Sequence, residues 1–244
     1  MKISEIPKFV LNLKHRTDRL SFIQDEMKYI GWDYEIFEAV DTGCHKGCTL
    51  SHVEIIKESQ RRGYDYVMVI EDDSTIMPYS ESLINILDEE LKKLSYGVLN
   101  LSPTHNRPVQ FFEKSKYLID ITNFPPALEH HRGVFATNML IYHKSVFEDV
   151  IKIEDPTSLR IFPIDEFLYL NVYSKYQSYS PILPIAVQKS DFSNVTGGNY
   201  NNFLLQTYNW NLYSPYKIPN EFLDFARVQE IKKNKEKKVF IYEG

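Results

Sequence analysis

Apolar positions along this chain fall into short continuous runs, separated by stretches that repeat every three or four residues. Residues 8–13 form a first apolar run. Behind it, Leu20, Ile23, Met27 and Ile30 recur at helical steps, which predicts a helix capped by Thr17 and ended by Gly31. Residues 34–40 read as a second strand, and residues 49–62 as a helix closed by Gly63. Residues 66–70 are five apolar or aromatic side chains in a row, the mark of a strand buried on both faces. Strand, helix, strand, helix, strand with short connections predicts an α/β fold with a largely parallel, Rossmann-like sheet flanked by helices.

Downstream, Ser80 or Ser82 opens a helix with Leu83, Leu87, Leu91 and Leu94 on one face, and residues 97–101 read as a fourth strand. The pattern weakens over 104–132, where residues 109–112 and 117–121 suggest paired strands. Residues 134–142 alternate in part and lead into a short helix carrying Val146 and Val150. Residues 161–168 open another helix with Asp165 and Glu166 in its first turn, and 180–187 is rich in proline and strand formers. Beyond Gly197-Gly198 few periodic positions remain. The expectation is one domain over 1–215 followed by a wrapping, basic tail over 216–244.

Composition narrows the class. At 43% hydrophobic and 25% charged, the 244 residues are ordinary globular material. A net charge of −5 leaves no electrostatic footprint for a nucleic-acid partner. The basic run 232–238 is interrupted by Asn234 and Glu236 and reads as a solvated helix end. Cys44 and Cys48 are the two cysteines, too few for a disulfide framework. Zinc would need two more ligands, with His45 and His52 alone nearby, so the spacing argues against it. No apolar run approaches the roughly 20 residues of a transmembrane helix, and the first seven residues lack the apolar core of a signal peptide. A soluble protein of a reducing, cytoplasmic compartment is expected, with a peripheral place at a membrane left open.

The chemistry gathers where residues 66–70 run straight into Glu71, Asp72 and Asp73. Three adjacent acids repel unless a cation compensates them, and hard ions such as Mn²⁺ or Mg²⁺ prefer carboxylate oxygens. The plainer alternative is a turn that Asp73 and Ser74 begin before Pro78. A second candidate lies after the first strand, where Arg16, Arg19 and a helix N-terminus favour an anion such as a pyrophosphate. Its alternative is a surface turn with Arg19 paired to Asp18 or Glu26. For Asp165 and Glu166 the alternative is complementarity to the helix dipole.

In order, Val10-Leu11-Asn12-Leu13 with Arg16, Asp18 and Arg19; Ala39-Val40-Asp41; Gly47-Cys48-Thr49-Leu50-Ser51-His52; Val69-Ile70-Glu71-Asp72-Asp73; Asn138-Met139-Leu140-Ile141 before Lys144-Ser145; Pro163-Ile164-Asp165; and Pro184 to Gln188 with Ser193 resemble glycosyltransferase family 25. This is the group of lipopolysaccharide and collagen-type galactosyltransferases. The resemblance covers about residues 8–196. It implies a GT-A fold, a UDP-sugar donor (most often UDP-galactose), inversion at the anomeric carbon and a Mn²⁺ site of the DxD type. Asp73 would hold the metal together with Glu71, while Glu71 and Asp72 would orient the ribose or the ion's waters.

On the same resemblance, Asp165 is the catalytic base, with Glu166 beside it as substitute. Asn12, Arg16, Arg19, Asp41, Ser51 and His52 face the donor, and Asn138, Gln188 and Asp191 belong to the acceptor side and late loop. Two departures stand out: His45 occupies a place the family usually gives to Glu, and no histidine follows His143, which leaves Gln188 or Asp191 as candidates for the late histidine ligand that some GT-A enzymes use. The acceptor is a hydroxyl on a glycan, a lipid-linked sugar or a hydroxylated protein, with 104–132 shaping its pocket. Two rival readings are a non-catalytic sugar-nucleotide or glycan-binding domain and a metal-dependent phosphohydrolase.

Overall fold

A computed structural model describes residues 2–105, 112–113, 115, 117–122, 134–154, 162–189, 192–193, 198–199, 224, 226–227 and 229–230. The first half follows the expected alternation: β1 (Lys8–Asn12), α1 (Thr17–Ile30), β2 (Glu35–Glu38), α2 (His45–Arg61), β3 (Tyr66–Glu71), β4 (Ser74–Ile76), α3 (Ser80–Leu91) and β5 (Val98–Asn100). Then come β6 (Thr104–His105), β7 (Phe112–Glu113), β8 (Leu118–Asp120), β9 (Val134–Phe135), β10 (Met139–His143), α4 (Phe147–Ile151) and α5 (Ile164–Phe167). Strands β11 (Ser178–Pro181), β12 (Ala186–Gln188), β13 (Phe192–Ser193) and β14 (Gly198–Asn199) follow.

Eight strands form one sheet in the order β2-β1-β3-β10-β5-β11-β8-β7. The β1 strand pairs in parallel with both β2 and β3, and β11 in parallel with β5. Strand β10 runs antiparallel between β3 and β5, and β8 antiparallel between β11 and β7. Six strands therefore share one direction and two oppose it: an α/β sheet, mostly parallel in orientation, with helices on its faces. The antiparallel insertion of β10 beside the central strand is a feature the local pattern did not announce.

Strand alternation explains why β3 is apolar on both sides. Met68 and Ile70 point into one core with Val10, with Ile23 and Met27 of α1, and with Leu83 and Leu87 of α3. Val67 and Val69 point into the other with Phe9, with Val53 and Ile56 of α2, and with Phe147 and Val150 of α4. All four β3 side chains are fully buried, each contributing roughly 1.5–3 kcal/mol on transfer from water.

Several boundaries differ from expectation. Helix α1 takes Arg16, not Thr17, as its N-cap and uses no side-chain cap, while Gly31 ends it at φ 70° as anticipated. Helix α2 begins at His45, ahead of Thr49. Strand β2 is an edge strand, exposed over most of its length. Asp72 and Asp73 form a turn, but Ser74 then begins β4, buried throughout and paired antiparallel with β12, instead of continuing the turn. Of the weak central stretch, β7 pairs with β8, whereas residues 109–111 lie outside the described residues. Most of 216–244, including the basic run, also lies outside them. Within that tail Arg227 is buried and ion-paired to Glu26 of α1, and the Asp224 N–H donates to the Pro78 carbonyl at 2.8 Å. No helix of the described residues is long and apolar enough to cross a membrane.

Candidate active site

The register of the parallel β1 and β3 pair sets Leu11 opposite Glu71, so the residues just beyond, Asn12 and Asp72, emerge side by side. Asn12 Nδ2 donates to Asp72 Oδ2 at 2.8 Å. From the first turn of α1, Arg19 reaches the same place: its Nη1 lies 3.0 Å from Asp72 Oδ1 and 3.0 Å from Asp73 Oδ2. The ion pairs anticipated for a plain surface turn are made by others. Asp18 is held by Arg16 through two contacts of 2.9 and 2.8 Å, and Glu26 is taken by Arg227. Burial and the charge of Asp73 push the Asp72 carboxyl above its ordinary range, against the pull of Arg19 and Asn12.

Asp73 is gripped from three elements. Asn138, just before β10, donates from Nδ2 at 2.7 Å, and Gln188 of β12 from Nε2 at 3.3 Å. The β4–β12 ladder brings Gln188 there by pairing it with Ser74, and the Lys189 N–H closes the turn on the Asp73 carbonyl at 2.6 Å.

Residues 136–138 act as a clasp that reaches all sides of the acid cluster. The Ala136 N–H donates to the Asp165 carboxylate. Thr137 Oγ1 donates to Glu71 Oε1 at 2.5 Å, and Asn138 holds Asp73. Ala136 sits at φ 71°, the left-handed region in which a side chain costs roughly 1–3 kcal/mol. Its carbonyl is tied down by Asn100 Nδ2 at 3.0 Å. Neither Ala136 nor Thr137 was anticipated; the one signal was their adjacency to Asn138.

Glu71 turns away from Arg19's carboxylates into different company. Besides Thr137, its Oε1 lies 3.8 Å from Cys48 Sγ and 4.0 Å from His52 Nε2. Burial, then the charge of Asp73, pushes Glu71 up to about 8, opposed by the Thr137 hydrogen bond. Burial and the nearby Glu71 raise the Cys48 thiol well above its usual value. Burial alone lowers His52 to about 3, so its imidazole is neutral. His52 Nδ1 meets the Tyr142 hydroxyl at 2.9 Å.

The other expected site residues distribute around this centre. Ser51 is buried; its Oγ accepts from the Val40 N–H at 2.8 Å and donates to the Gly47 carbonyl at 2.7 Å, pinning the loop after β2 onto the first turn of α2. That contact requires glycine at 47, since a Cβ there would lie 2.3 Å from the Val40 oxygen. Asp41 lies exposed on the rim, accepting from the Gly43 N–H at 3.1 Å. Asp41, Ser51, Glu71, Asp72, Asp73 and Gln188 line one cleft, with Arg19 in its wall. His52 is fully buried beneath that wall, and Arg16 is engaged with Asp18.

Asp165 opens α5 on the far side, its Oδ1 accepting from the Glu166 N–H at 2.9 Å. Burial raises its carboxyl, and its charge is felt at both Cys48 and Glu71. Glu166, next to it, is half-buried. Asp191 lies outside the described residues.

Neither the family models nor the curated proteins contain a match to the chain. Solved structures align at low similarity. A protein from STIV shares 14% identity over 76% of this chain and 83% of its own, with a TM-score of 0.44. A glycosyltransferase involved in glycosylation of the major capsid of PBCV-1 shares 11% over 68% and 74%, TM-score 0.43. An inositol-1-phosphate CTP transferase from T. maritima shares 12% over 77% and 72%, TM-score 0.41. Scores at this level carry no argument about activity, so the functional reading rests on the site.

Proposed function

We propose that this chain is a GT-A-type glycosyltransferase, related to family 25, that moves a hexose from a UDP-sugar to a hydroxyl acceptor with inversion. Galactose is the first donor to test. The observation that carries the reading is the pair Asp72 and Asp73 at the end of a central buried strand, sharing one guanidinium that leads from the N-terminal turn of α1. A ligand arriving there meets carboxylates for a cation and Arg19 for a phosphate, beside a helix N-terminus that favours negative charge.

The donor set fits a hard divalent cation in charge and atom type, because a positive group is already lodged between the two carboxylates. Asp73 with Asp72 would hold Mn²⁺ or Mg²⁺, since Glu71 is turned towards Thr137, Cys48 and His52. Such an ion supplies stabilisation of the negative charge on the departing UDP. Arg19, released from the acids, pairs with the donor's diphosphate. Asp165, raised by burial and oriented by the Ala136 N–H, takes the proton from the acceptor hydroxyl. Glu166 is its understudy, Asn12 and Asp41 line the donor side, and Ser51 holds the donor loop in place. Asn138 and Gln188 fix Asp73.

The lodging of Arg19 also favours a second reading, in which the guanidinium itself is the cation and transfer needs no metal. A panel of UDP-sugars tests both, following UDP release with Mn²⁺ and with EDTA, with and without glycan, lipid-linked and hydroxylated-protein acceptors. Acceptor-dependent release establishes transfer, and its survival in EDTA selects the second reading. Release independent of every acceptor indicates a phosphohydrolase, and binding without turnover a non-catalytic domain.

A further inference from the structure

The floor of the cleft holds a second group of ligand-type atoms that the proposed transfer chemistry leaves unused. Cys48 and His52 lie one turn apart on α2 and so present their side chains on the same face, towards the end of β3. Cys48 Sγ, His52 Nε2 and a Glu71 carboxylate oxygen all lie within 4.8 Å of one another. The sequence offers Cys48 only Cys44, His45 and His52 as metal-binding company; the fold supplies Glu71 from another element.

Two independent observations point to a ligand. His52 Nε2 is fully buried and has no hydrogen-bond partner among the described residues. At 4.0 Å from Glu71 Oε1 it is too distant for a hydrogen bond in either tautomer. When Nδ1–H donates to the Tyr142 oxygen, 2.9 Å away, the Nε2 lone pair faces the thiol and the carboxylate. The supporting shell is also built: Tyr142 orients the imidazole, and the Thr137 hydroxyl orients Glu71 at 2.5 Å, as outer partners orient ligands in metal sites.

We propose that Cys48, His52 and Glu71 form a binding site for a borderline-soft divalent cation of the zinc class, separate from the carboxylate seat at Asp72 and Asp73. A tetrahedral zinc with ordinary bond lengths sets its ligand atoms about 3.4–3.6 Å apart. The observed 3.8 Å between sulfur and oxygen and 4.0 Å between nitrogen and oxygen exceed this by a few tenths of an ångström, the scale of a small side-chain rotation. A thiolate with an imidazole selects zinc or cobalt over magnesium or manganese. Binding displaces the Cys48 thiol proton and the Glu71 carboxyl proton to solvent, leaving a thiolate and a carboxylate as ligands. Three protein ligands leave a fourth position, and since Cys48 and Glu71 both line the cleft, that position faces it.

The site does not depend on glycosyl transfer, and its test reads no activity. The whole chain is titrated with Co²⁺ and followed by absorption. The expected result is one cobalt per chain, with a thiolate-to-cobalt charge-transfer band and the intense visible bands of four-coordinate Co²⁺, both removed by competing Zn²⁺. Cys48→Ser should abolish the charge-transfer band and His52→Gln should weaken binding at least tenfold. Cys44→Ser and Asp73→Ala should retain the band. Melting curves without metal establish that each variant is folded, and the wild-type spectrum decides the matter if His52→Gln is not. Absence of a thiolate band in the wild-type chain overturns the proposal, as does its persistence in Cys48→Ser or its loss in Cys44→Ser.

Discussion

Glu71, Asp72 and Asp73 are consecutive, yet the fold treats them as two populations. Asp72 and Asp73 face α1 and the β12 end, where a guanidinium and three amide groups from Asn12, Asn138 and Gln188 meet them at 2.7–3.3 Å. Glu71 faces α2 and the clasp, where it meets a hydroxyl, a thiol and an unprotonated imidazole. The strand ends at Glu71 and the chain turns at Asp72 and Asp73, so the turn carries those two acids away from Glu71. The elements covering each side decide what compensates the charge. One side of the cleft is a network of carboxylates, a guanidinium and amides. The other is a largely buried polar pocket in which an acid keeps its proton near neutral pH.

If the charged side performs transfer, its largest dependence is on the base beyond the clasp. Asp165→Asn keeps the size of the side chain and its acceptor for the Glu166 N–H but removes the basic carboxylate. Transfer should fall about 10²–10⁴-fold while UDP-sugar binding and melting temperature stay near native. An activity loss that merely tracks a stability loss would return Asp165 to the helix-dipole reading, worth about 0.3–1 kcal/mol.

Arg19→Ala sharpens the contrast from the other end. Removing one partner from a buried charge group costs about 3–5 kcal/mol, reduced here because Asn12, Asn138 and Gln188 continue to donate to the carboxylates. A loss of about 2 kcal/mol is expected in denaturant melts, partly restored by Mn²⁺ in the variant more than in wild type. UDP-sugar affinity should drop more than uridine affinity. Equal losses for both ligands would sever Arg19 from the diphosphate, and an unchanged melt would deny its hold on the acids.

Much of this arrangement is visible in the sequence, for local reasons. The apolar run ending in Glu71 identifies β3, and Asn12 and Arg19 follow their strand closely enough to be placed at the same sheet end. The clasp is different. Ala136 and Thr137 reach Asp165 and Glu71 because β10 inserts antiparallel between β3 and β5, pairing residues about 70 and about 40 apart, which no periodicity encodes. The pairing of Cys48 with Glu71 is likewise a matter of which helix covers which face. Thr17 failed as a cap for a smaller reason: its residue type suits the position, but the helix opens one residue earlier, on Arg16.

The smallest effect probes the Glu71 side directly. Glu71 is pushed from an ordinary 4.5 to about 8, so below pH 4.5 it is protonated in both folded and unfolded chains and costs nothing extra. Between roughly pH 4.5 and 8 the unfolded chain ionises while the folded chain retains its proton, and stability falls as pH rises; above about 8 the loss levels off. Glu71→Gln removes this titration while preserving an acceptor for Thr137. A fifth of the Glu71 side chain is exposed to the cleft, which reduces the full linkage energy to about 1–2 kcal/mol. Urea melts in chelator at pH 5, 6.5 and 8 should show the variant gaining on wild type steadily across that range. Cys48, Asp72, Asp73 and Asp165 remain in both proteins, so their own titrations largely cancel in the difference. A difference that stays flat from pH 5 to 8 would place the Glu71 carboxyl in an ordinary solvated environment and erase the distinction between the two sides of the cleft.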